Sequence, residues 1–226
     1  MPEEQGVIQG APAGLAARPA WVCVIAPCVY VRTGLRALLS ASGRQVVTTL
    51  STHDKLAAFG GASDVDEAML VCHLPARLGA MLDTLFFVAA CLVPGAPCRW
   101  RRIVLLTTLP PCWLFDSLCA LTEDAGAAGG VEVISPCRPL PVLRAVLTED
   151  VRLPLAAQTR RLWRCALTAA ELQVLQALLC RQQSFVAVAR ARGTETNTVK
   201  AQKQTAFLKL RVRTWSGALN WGGDGV

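Results

Sequence analysis

The sequence predicts a doubly wound α/β domain followed by an all-α unit of four helices, and three observations lead to this fold class. Short, almost wholly apolar runs alternate with segments able to form helices from about residue 20 to residue 146. Continuous apolar strands of this kind are typical of a parallel sheet that helices cover on both faces. From residue 165 onward only helical patterns occur. With 226 residues, 53% hydrophobic and 17% charged, the chain can fill one large core or two small ones.

Five candidate strands and about as many helices make up the α/β part. The strands are "WVCVIAP" (21–27), "GRQVVTTL" (43–50), "AMLVCHL" (68–74), "RIVLLTT" (102–108) and "GVEVIS" (130–135). Segments such as 31–41 and 82–92 separate them and are able to form helices. The predicted divisions of the chain are a flexible Gly/Ala/Pro-rich tail at 1–19, an α/β domain at 20–146, a linker at 147–164 and a C-terminal unit at 165–226.

The first helix of the C-terminal unit has a clear start signal. Thr168 and Glu171 form a capping box, in which the hydroxyl accepts a hydrogen bond from the Glu171 amide and the carboxylate reaches back to the amide of Thr168. We expect this helix to end near Arg181. Its apolar face is lined by Leu172, Leu175 and Leu179.

Three shorter or more polar helices follow. "SFVAVARARG" (184–193) forms the second helix, which Gly193 closes. "TNTVKAQKQTAFLKL" (196–210) forms the third, with Thr194 or Thr196 as its N-cap. "TWSGALNW" (214–221) is a short fourth. Helix, turn, short helix, turn and basic helix is the helix-turn-helix plan.

The positive charge of the chain is concentrated in its last third. From residue 155 on, eleven Lys and Arg face three acidic residues, a net charge of +8, whereas residues 1–154 carry a net charge of −1. Within the third helix Lys200, Gln202, Lys203 and Gln204 lie close together without an acidic residue. Such a distribution indicates a polyanion or an acidic partner. The alternative is a merely solvated basic surface.

The third helix has one apolar and one polar face. The apolar face contains Val199, Ala206, Phe207 and Leu210. Lys200, Ala201 and Gln204 fall on the other face, with Lys203 near the boundary. Ammonium groups suit phosphates or guanine, amides suit adenine, and a small residue permits close approach to a groove. An ordinary solvated helix would include Glu or Asp for i,i+4 pairing. The pattern therefore predicts binding of this helix to double-stranded DNA.

Several sequence anchors recur in order in the C-terminal unit: Leu-Thr-x-x-Glu in "LTAAELQVLQALL", then "VAVARARG", then Thr-Val-Lys, then Lys-Leu-x-Val in "FLKLRV". Over about residues 165–221 they resemble the LuxR/FixJ-type DNA-binding domain. "VKAQKQTAFLKLRVRTWSGALNW" is most similar to the RcsB branch of that family. With Thr198 from the Thr-Val-Lys anchor, the candidate DNA-binding residues are Thr198, Lys200, Ala201, Lys203 and Gln204.

Two departures from the family pattern affect turns. The glycine expected in the turn after the first helix is absent from "CRQQSF", which also has an apparent one-residue insertion. Arg211 stands where a glycine usually ends the third helix in the left-handed conformation, at a cost of about 1 kcal/mol.

The N-terminal half of this family is a receiver domain, and "VCVIAPCVYVRTGLRALL" resembles its first strand and helix. The resemblance places Ala26 and Pro27 where two acids would hold Mg²⁺, and Val71 where the phosphoacceptor aspartate would lie. Ser135 stands at the position of the conserved lysine, and the strand-end threonine is kept as Thr107 or Thr108. Phosphoryl transfer needs a carboxylate nucleophile and oxygen ligands for a hard cation. These substitutions therefore predict a pseudo-receiver that takes no phosphate.

The sequence predicts neither an enzyme nor a bound cofactor or metal. No glycine-rich nucleotide loop and no Gly-x-Ser-x-Gly occurs, and the two histidines, His53 and His73, do not complete a zinc site with the ten cysteines. Because the cysteines lie in apolar runs and no signal peptide is recognisable, we expect mostly buried thiols in the cytoplasm. His73 is expected to be a satisfied core or strand-end residue. The longest uncharged run, Thr84–Cys98, is shorter than a membrane span of about 20 residues.

The resulting hypothesis is a phosphorylation-independent transcription regulator. The resemblance implies an auxiliary subunit that pairs with an RcsB-like response regulator, with self-pairing as the other possibility, because two half-sites are normally read by two subunits. The segments Leu85–Leu92 and Trp215–Trp221 are candidate pairing surfaces, although core packing also explains the first. The competing hypothesis is an adaptor or antagonist that binds other regulators without productive DNA binding.

Overall fold

The computed structural model describes residues 21–43, 45–52, 68–75, 77–96, 100–148, 151–159 and 166–219. The tail predicted at 1–19 and His53 lie outside the described residues.

Five parallel strands form one sheet in the order β2-β1-β3-β4-β5. They are β1 (Trp21–Ile25), β2 (Gln45–Leu50), β3 (Met69–His73), β4 (Arg102–Leu106) and β5 (Glu132–Ile134). Val71 lies between Val24 of β1 and Val104 of β4, so the carboxyl ends of the three central strands meet at one edge of the sheet. All five predicted strands and the doubly wound α/β arrangement are confirmed.

Six helices belong to this half of the chain among the described residues. They are α1 (Val29–Ser40), α2 (Leu78–Leu92), α3 (Pro111–Thr122), α4 (Ala125–Gly130), α5 (Leu140–Thr148) and α6 (Leu155–Gln158). Local chemistry explains several starts. Pro111 occupies the first position of α3, where the missing N–H costs nothing. The Asp124 carboxylate accepts hydrogen bonds from the first amides of α4, at 2.8 Å from Gly126 and 3.0 Å from Ala127.

Alternation along the strands builds two cores, one on each face of the sheet. Cys23 and Ile25 face a core that α2, α3 and α4 cover. Val22 and Val24 face a second core that α1 and α5 cover. Side chains at alternate strand positions point to opposite faces, which is why runs that are apolar throughout predict strands buried on both sides.

A buried ion pair fixes the last two strands and the segment that follows them. Nε and Nη2 of Arg102 on β4 each donate to a carboxylate oxygen of Glu132 on β5 at 2.7 Å. Nη1 of Arg152 donates to the same carboxylate at 2.8 Å. Residues 151–159, which lie in the predicted linker, pack here, with Leu155 fully buried and Nε2 of Gln158 donating to the Val133 carbonyl.

Residues 166–219 form four further helices: α7 (Ala169–Leu179), α8 (Phe185–Ala191), α9 (Thr196–Lys209) and α10 (Trp215–Leu219). The capping box predicted for α7 is present, with the Glu171 amide donating to Thr168 Oγ1 and the Thr168 amide donating to Glu171 Oε2. Ser184 caps α8 by accepting from the Ala187 amide at 3.2 Å. The number and order of helices agree with the prediction, although α7 ends at Leu179, two residues before Arg181.

The two halves share one apolar core. α2 packs against α7, and α10 also contacts α2. The buried cluster that contains Met81 of α2 continues without a break to Leu172 of α7 and Phe207 of α9. At the contact itself, Cys180 Sγ donates to the Gly79 carbonyl at 3.0 Å. Burial raises the pKa of the Cys180 thiol to about 11, so it remains protonated and able to donate.

The shared core includes part of the apolar segment Leu85–Leu92, a candidate pairing surface in the sequence analysis. Leu85, Val88 and Ala89 are buried inside the chain. Core packing, the alternative explanation, is therefore correct for these three residues, whereas Ala90 is exposed and the other four residues of the segment are half-buried.

Candidate nucleic-acid interface

Helix α9 is anchored by its apolar side. Val199 packs in a cluster with α7 and α8, whereas Ala206 and Phe207 pack into the core shared with α2. Phe207 also meets Trp215 of α10 edge to face, with ring centroids 5.3 Å apart. These contacts fix the rotation of α9 about its axis, and the rotation decides which side chains face outward.

The outward side of α9 contains four of the five predicted DNA-binding residues: Thr198, Lys200, Ala201 and Gln204 are all exposed. Asn197 is exposed as well and lies three to four residues before Lys200 and Ala201, on the same face. Sequence reasoning left Asn197 out, although its i−3 spacing from Lys200 could have identified it. We define the outer face of α9 as Asn197, Thr198, Lys200, Ala201 and Gln204.

Lys203 has a different environment from Lys200. It is half-buried, and its Nζ lies 4.7 Å from the centroid of the Phe207 ring and 5.4 Å from that of Trp215. An ammonium group at this distance is attracted by the ring faces. Lys203 thus lies at the boundary between the apolar and polar faces of α9, as predicted. Its ring contacts stabilise the packing of α9 against α10.

Two further polar contacts hold α9 in place. Lys209 Nζ bonds to the Glu171 carboxylate of the α7 capping box at 2.8 Å. Gln202 Oε1 accepts a hydrogen bond from Arg192 at 3.0 Å, and the same guanidinium nitrogen donates to the Ala170 carbonyl at the start of α7. Gln202 and Lys209 are thereby occupied within the chain, which leaves Lys200 as the exposed lysine of α9.

The start of α9 differs from the prediction. Glu195 is its N-cap residue, and no side-chain hydrogen bond caps the helix. Thr194 and Thr196, the two predicted caps, flank that position. The amides of the first turn of α9 are therefore free of a side-chain cap, and such amides suit phosphate oxygens.

Three residues in left-handed conformations end the helices of this unit. Gly193 has φ 61° after α8, whereas Gln182 and Arg211 have φ 50° and 55° after α7 and α9. The Val212 amide donates to the Phe207 carbonyl at 2.8 Å around Arg211, the bond that a glycine normally permits at such a helix end. At both turns where the sequence departs from the pattern it resembles, a residue other than glycine is left-handed, which carries backbone strain.

No carboxylate follows β1, β3, β4 or β5 at the carboxyl edge of the sheet, within the residues that the structure describes there. Ala26 and Val71 are fully buried, Pro27 is exposed and Ser135 is half-buried. The residues that follow β1, β3, β4 and β5, namely 26–28, 74–77, 107–110 and 135–139, include no Asp or Glu. At the end of β1, Nη1 of Arg32 donates to the carbonyls of Ala26 and Pro27 at 2.6 and 2.8 Å. A cation of the chain itself thus binds the carbonyl oxygens there.

The remaining polar groups at this edge serve local turns. Thr107 is buried and its Oγ1 accepts from the Leu109 amide at 3.1 Å, while Ser135 Oγ accepts from the Cys137 amide at 3.3 Å. Burial lowers the pKa of His73, which therefore stays neutral near pH 7. His73 ends β3 as expected, but its buried Nδ1 has no hydrogen-bond partner among the described residues, so the expectation of a satisfied histidine is wrong in part.

Within the described residues, no three His, Cys, Asp or Glu side chains are grouped closely enough to hold a metal ion. None of the helices in the same residues combines the length and apolarity that a bilayer crossing requires.

The fold is shared with solved structures of RcsB. RcsB from Salmonella enterica serovar Typhimurium, bound to the rprA promoter in the presence of the phosphomimetic BeF3−, is 16% identical over 92% of this chain and 100% of that chain, with a TM-score of 0.57. A second Salmonella typhimurium RcsB structure is 15% identical over 93% and 100% of the two chains, with a TM-score of 0.52. RcsB in a further complex with DNA is 15% identical over 92% of this chain and 100% of that chain, with a TM-score of 0.51. No protein-family model and no curated protein sequence matches the chain.

Proposed function

We propose that this protein is a DNA-binding transcription regulator that works without phosphorylation and pairs with an RcsB-like response regulator. The observation that carries the proposal is the outer face of α9. It presents one lysine, two amide side chains and a small residue on a well-packed helix, without an acidic side chain between Thr196 and Lys209. In a helix-turn-helix unit of α7, α8 and α9, this face would enter the major groove.

The chemistry of the outer face fits groove binding. Lys200 can bond a phosphate or guanine, and Gln204 and Asn197 have the amide that pairs with the edge of adenine. Ala201 lies between them and permits close approach to the base edges. The RcsB structures of the same fold include complexes with promoter DNA, which supports the proposal as an analogy of fold.

Binding of short duplexes, selected by the wild-type protein from a random-sequence pool, tests the assignment directly. Lys200→Ala should weaken binding by about 1–3 kcal/mol if the ammonium reads a base. If the ammonium contacts phosphate instead, the slope of the logarithm of the binding constant against the logarithm of the salt concentration should become shallower by about one. Arg77→Ala is the matched control, since Arg77 is exposed at the start of α2 and far from α9 in the sequence.

An unchanged affinity and salt slope for Lys200→Ala would contradict the DNA-binding assignment and favour the adaptor function. That alternative has its own support in the strained left-handed residues Gln182 and Arg211, which stand at turns where the family has glycine. Repeating the assay in a mixture with RcsB distinguishes a protein that binds DNA only as a heterodimer from one that does not bind it.

Phosphorylation independence is supported by the carboxyl edge of the sheet. The positions that the resemblance assigns to Mg²⁺ ligands and to the phosphoacceptor are Ala26, Pro27 and Val71, and Arg32 holds the neighbouring carbonyls. Incubation with acetyl phosphate and Mg²⁺ should therefore give no phosphoryl adduct by mass spectrometry. A stoichiometric aspartyl phosphate would contradict this part of the proposal and leave the DNA-binding part intact.

A further inference from the structure

A second exposed surface lies outside helix α9, on the α/β half of the chain. Four large apolar side chains are exposed at the starts of α1 and α5: Val29 is 55% exposed, Tyr30 84%, Leu140 64% and Val142 41%. Both helices begin at the carboxyl edge of the sheet and pack together over the same core. We define the α1–α5 surface as these four residues together with the exposed positions of the two helices. Clustered exposed apolar side chains are typical of a protein interaction site.

The charge on this surface has one sign. Arginine occurs four times in segments 28–43 and 135–148, at Arg32, Arg36, Arg138 and Arg144, and neither segment contains Asp or Glu. Within the part of the chain that the structure describes, the ion pairs involve other residues. Glu149 and Asp150 follow the end of α5 and lie outside the described residues.

The shape of α1 suits close approach by another chain. Its exposed side includes Thr33, Gly34 and Ala37, and nothing lies within 4 Å of a Cβ built on Gly34. Small residues between Tyr30 and Arg36 leave room for side chains of a partner. The α1–α5 surface thus combines large exposed apolar side chains at the two helix starts, small residues along α1 and four arginines.

A second copy of this chain is a poor occupant. In a symmetric dimer the same patch meets itself, so the arginines of the two copies would lie against one another. Like charges placed together across an interface are strongly unfavourable. DNA would satisfy the arginines but would gain nothing from Tyr30, Val29, Leu140 and Val142, whose burial is favourable against another protein.

We infer that the α1–α5 surface binds a second protein whose pairing face is apolar at its centre and acidic at its rim, in preference to a second copy of this chain. The inference rests on the proposed pairing with another regulator and gives the chemistry of that regulator's surface. It also gives the α/β half a role that needs no carboxylate at the described ends of β1, β3, β4 and β5.

A charge-reversed copy of the protein serves as the probe. The double variant Arg36→Glu, Arg144→Glu keeps the apolar centre and supplies an acidic rim at exposed positions, so its fold should be unchanged. Sedimentation at micromolar concentration should show monomers for wild type alone and for the variant alone. An equal mixture should form a heterodimer at least about tenfold tighter than either homodimer, and added salt should weaken it.

Two control variants test whether the heterodimer forms through the α1–α5 surface. Tyr30→Ser in the wild-type copy should abolish the heterodimer, because the apolar centre is lost. The double variant Arg77→Glu, Arg181→Glu changes the net charge equally at exposed arginines outside the surface and should not pair with wild type.

Three outcomes would overturn the inference. These are a mixture that stays monomeric, a wild-type homodimer as tight as the mixture, or pairing that the control variant reproduces. A reversed-charge variant that loses DNA affinity and salt slope without pairing would assign the surface to nucleic acid. Because the sizing contains no DNA, its result is independent of the Lys200 test of DNA binding.

Discussion

The carboxyl edge of the sheet and the outer face of α9 contrast in what their side chains can do. At the sheet edge, Ala26 and Val71 are buried in the core and contribute only packing. On α9, Lys200 and Gln204 are exposed and contribute nothing to the packing of that helix. The two regions are joined by one apolar core through α2 and α7.

The contrast shows that buried strand ends serve packing, whereas α9 presents polar groups to solvent. An apolar residue at a buried strand end avoids the cost of desolvating a charge. Strands β3 and β4 are buried along nearly their whole length and accommodate apolar residues on both faces. An α/β half of this kind is expected to act through stability and contact, and the following changes test that expectation.

The largest loss of unfolding free energy is expected from breaking the buried ion pair between β4 and β5. Glu132→Ala leaves the Arg102 guanidinium, whose side chain is 0% exposed, without its carboxylate. Breaking a buried pair in this way costs about 3–5 kcal/mol of unfolding free energy. Chemical denaturation measures it. Arg152→Ala is the control, because the Arg152 side chain is 42% exposed and its loss should cost no more than about 1 kcal/mol.

The same carboxylate predicts acid sensitivity. Burial acts to raise the pKa of Glu132, but hydrogen bonds from Arg102 and Arg152 outweigh it and hold the pKa below its ordinary value. The pair therefore stabilises the fold above the pKa of the unfolded state, about 4.3, and the stabilisation is lost as the pH falls through the lower folded value. Denaturation midpoints across this acid range should fall less steeply for Glu132→Gln than for wild type.

A smaller effect is expected at the contact between the halves. A Cβ on Gly79 would lie 3.6 Å from the Leu179 carbonyl oxygen, which is ordinary contact, so Gly79→Ala should be tolerated. Gly79→Trp should displace Leu179 and the hydrogen bond from Cys180, at a cost of about 1–3 kcal/mol. Thermal unfolding should then lose cooperativity between the halves. An unaltered single transition in the tryptophan variant would mean that α2 and α7 are not energetically coupled.

The smallest expected effect concerns the end of α9. Arg211→Gly removes the strain of a left-handed arginine and should raise the unfolding free energy by about 1 kcal/mol, net of the added freedom of the unfolded chain. Arg213→Gly at a neighbouring exposed position without positive φ should give no gain. Equal changes for the two variants, measured by denaturation, would show that Arg211 is unstrained.

Much of the fold could be predicted from local pattern. The strands are recognisable because most of their residues are apolar, and α7 because Thr168 and Glu171 form a capping box. The outer face of α9 was also predictable, since the 3.6-residue period separates Lys200 from Phe207.

Contacts between distant segments were not predictable in the same way. The buried residues of α2 pack against α7 as well as α3, and Lys203 lies over the ring of Trp215 in α10. Nothing in the local sequence of α2 distinguishes the core of one domain from the contact between two. The pairing of Lys209 with Glu171 spans 38 residues and joins two charges that the sequence gives no reason to connect.

The hydrogen bond from Cys180 to Gly79 and the shared core around it have a genetic consequence. Because α7 completes its burial on α2, a fragment that begins near residue 166 would expose Leu172 and Leu175 to water. Substitutions in α2 should therefore weaken the packing of α7 and α9, although they lie in the other half of the chain. Second substitutions in α7 should restore that packing, so that changes in the two halves are selected together.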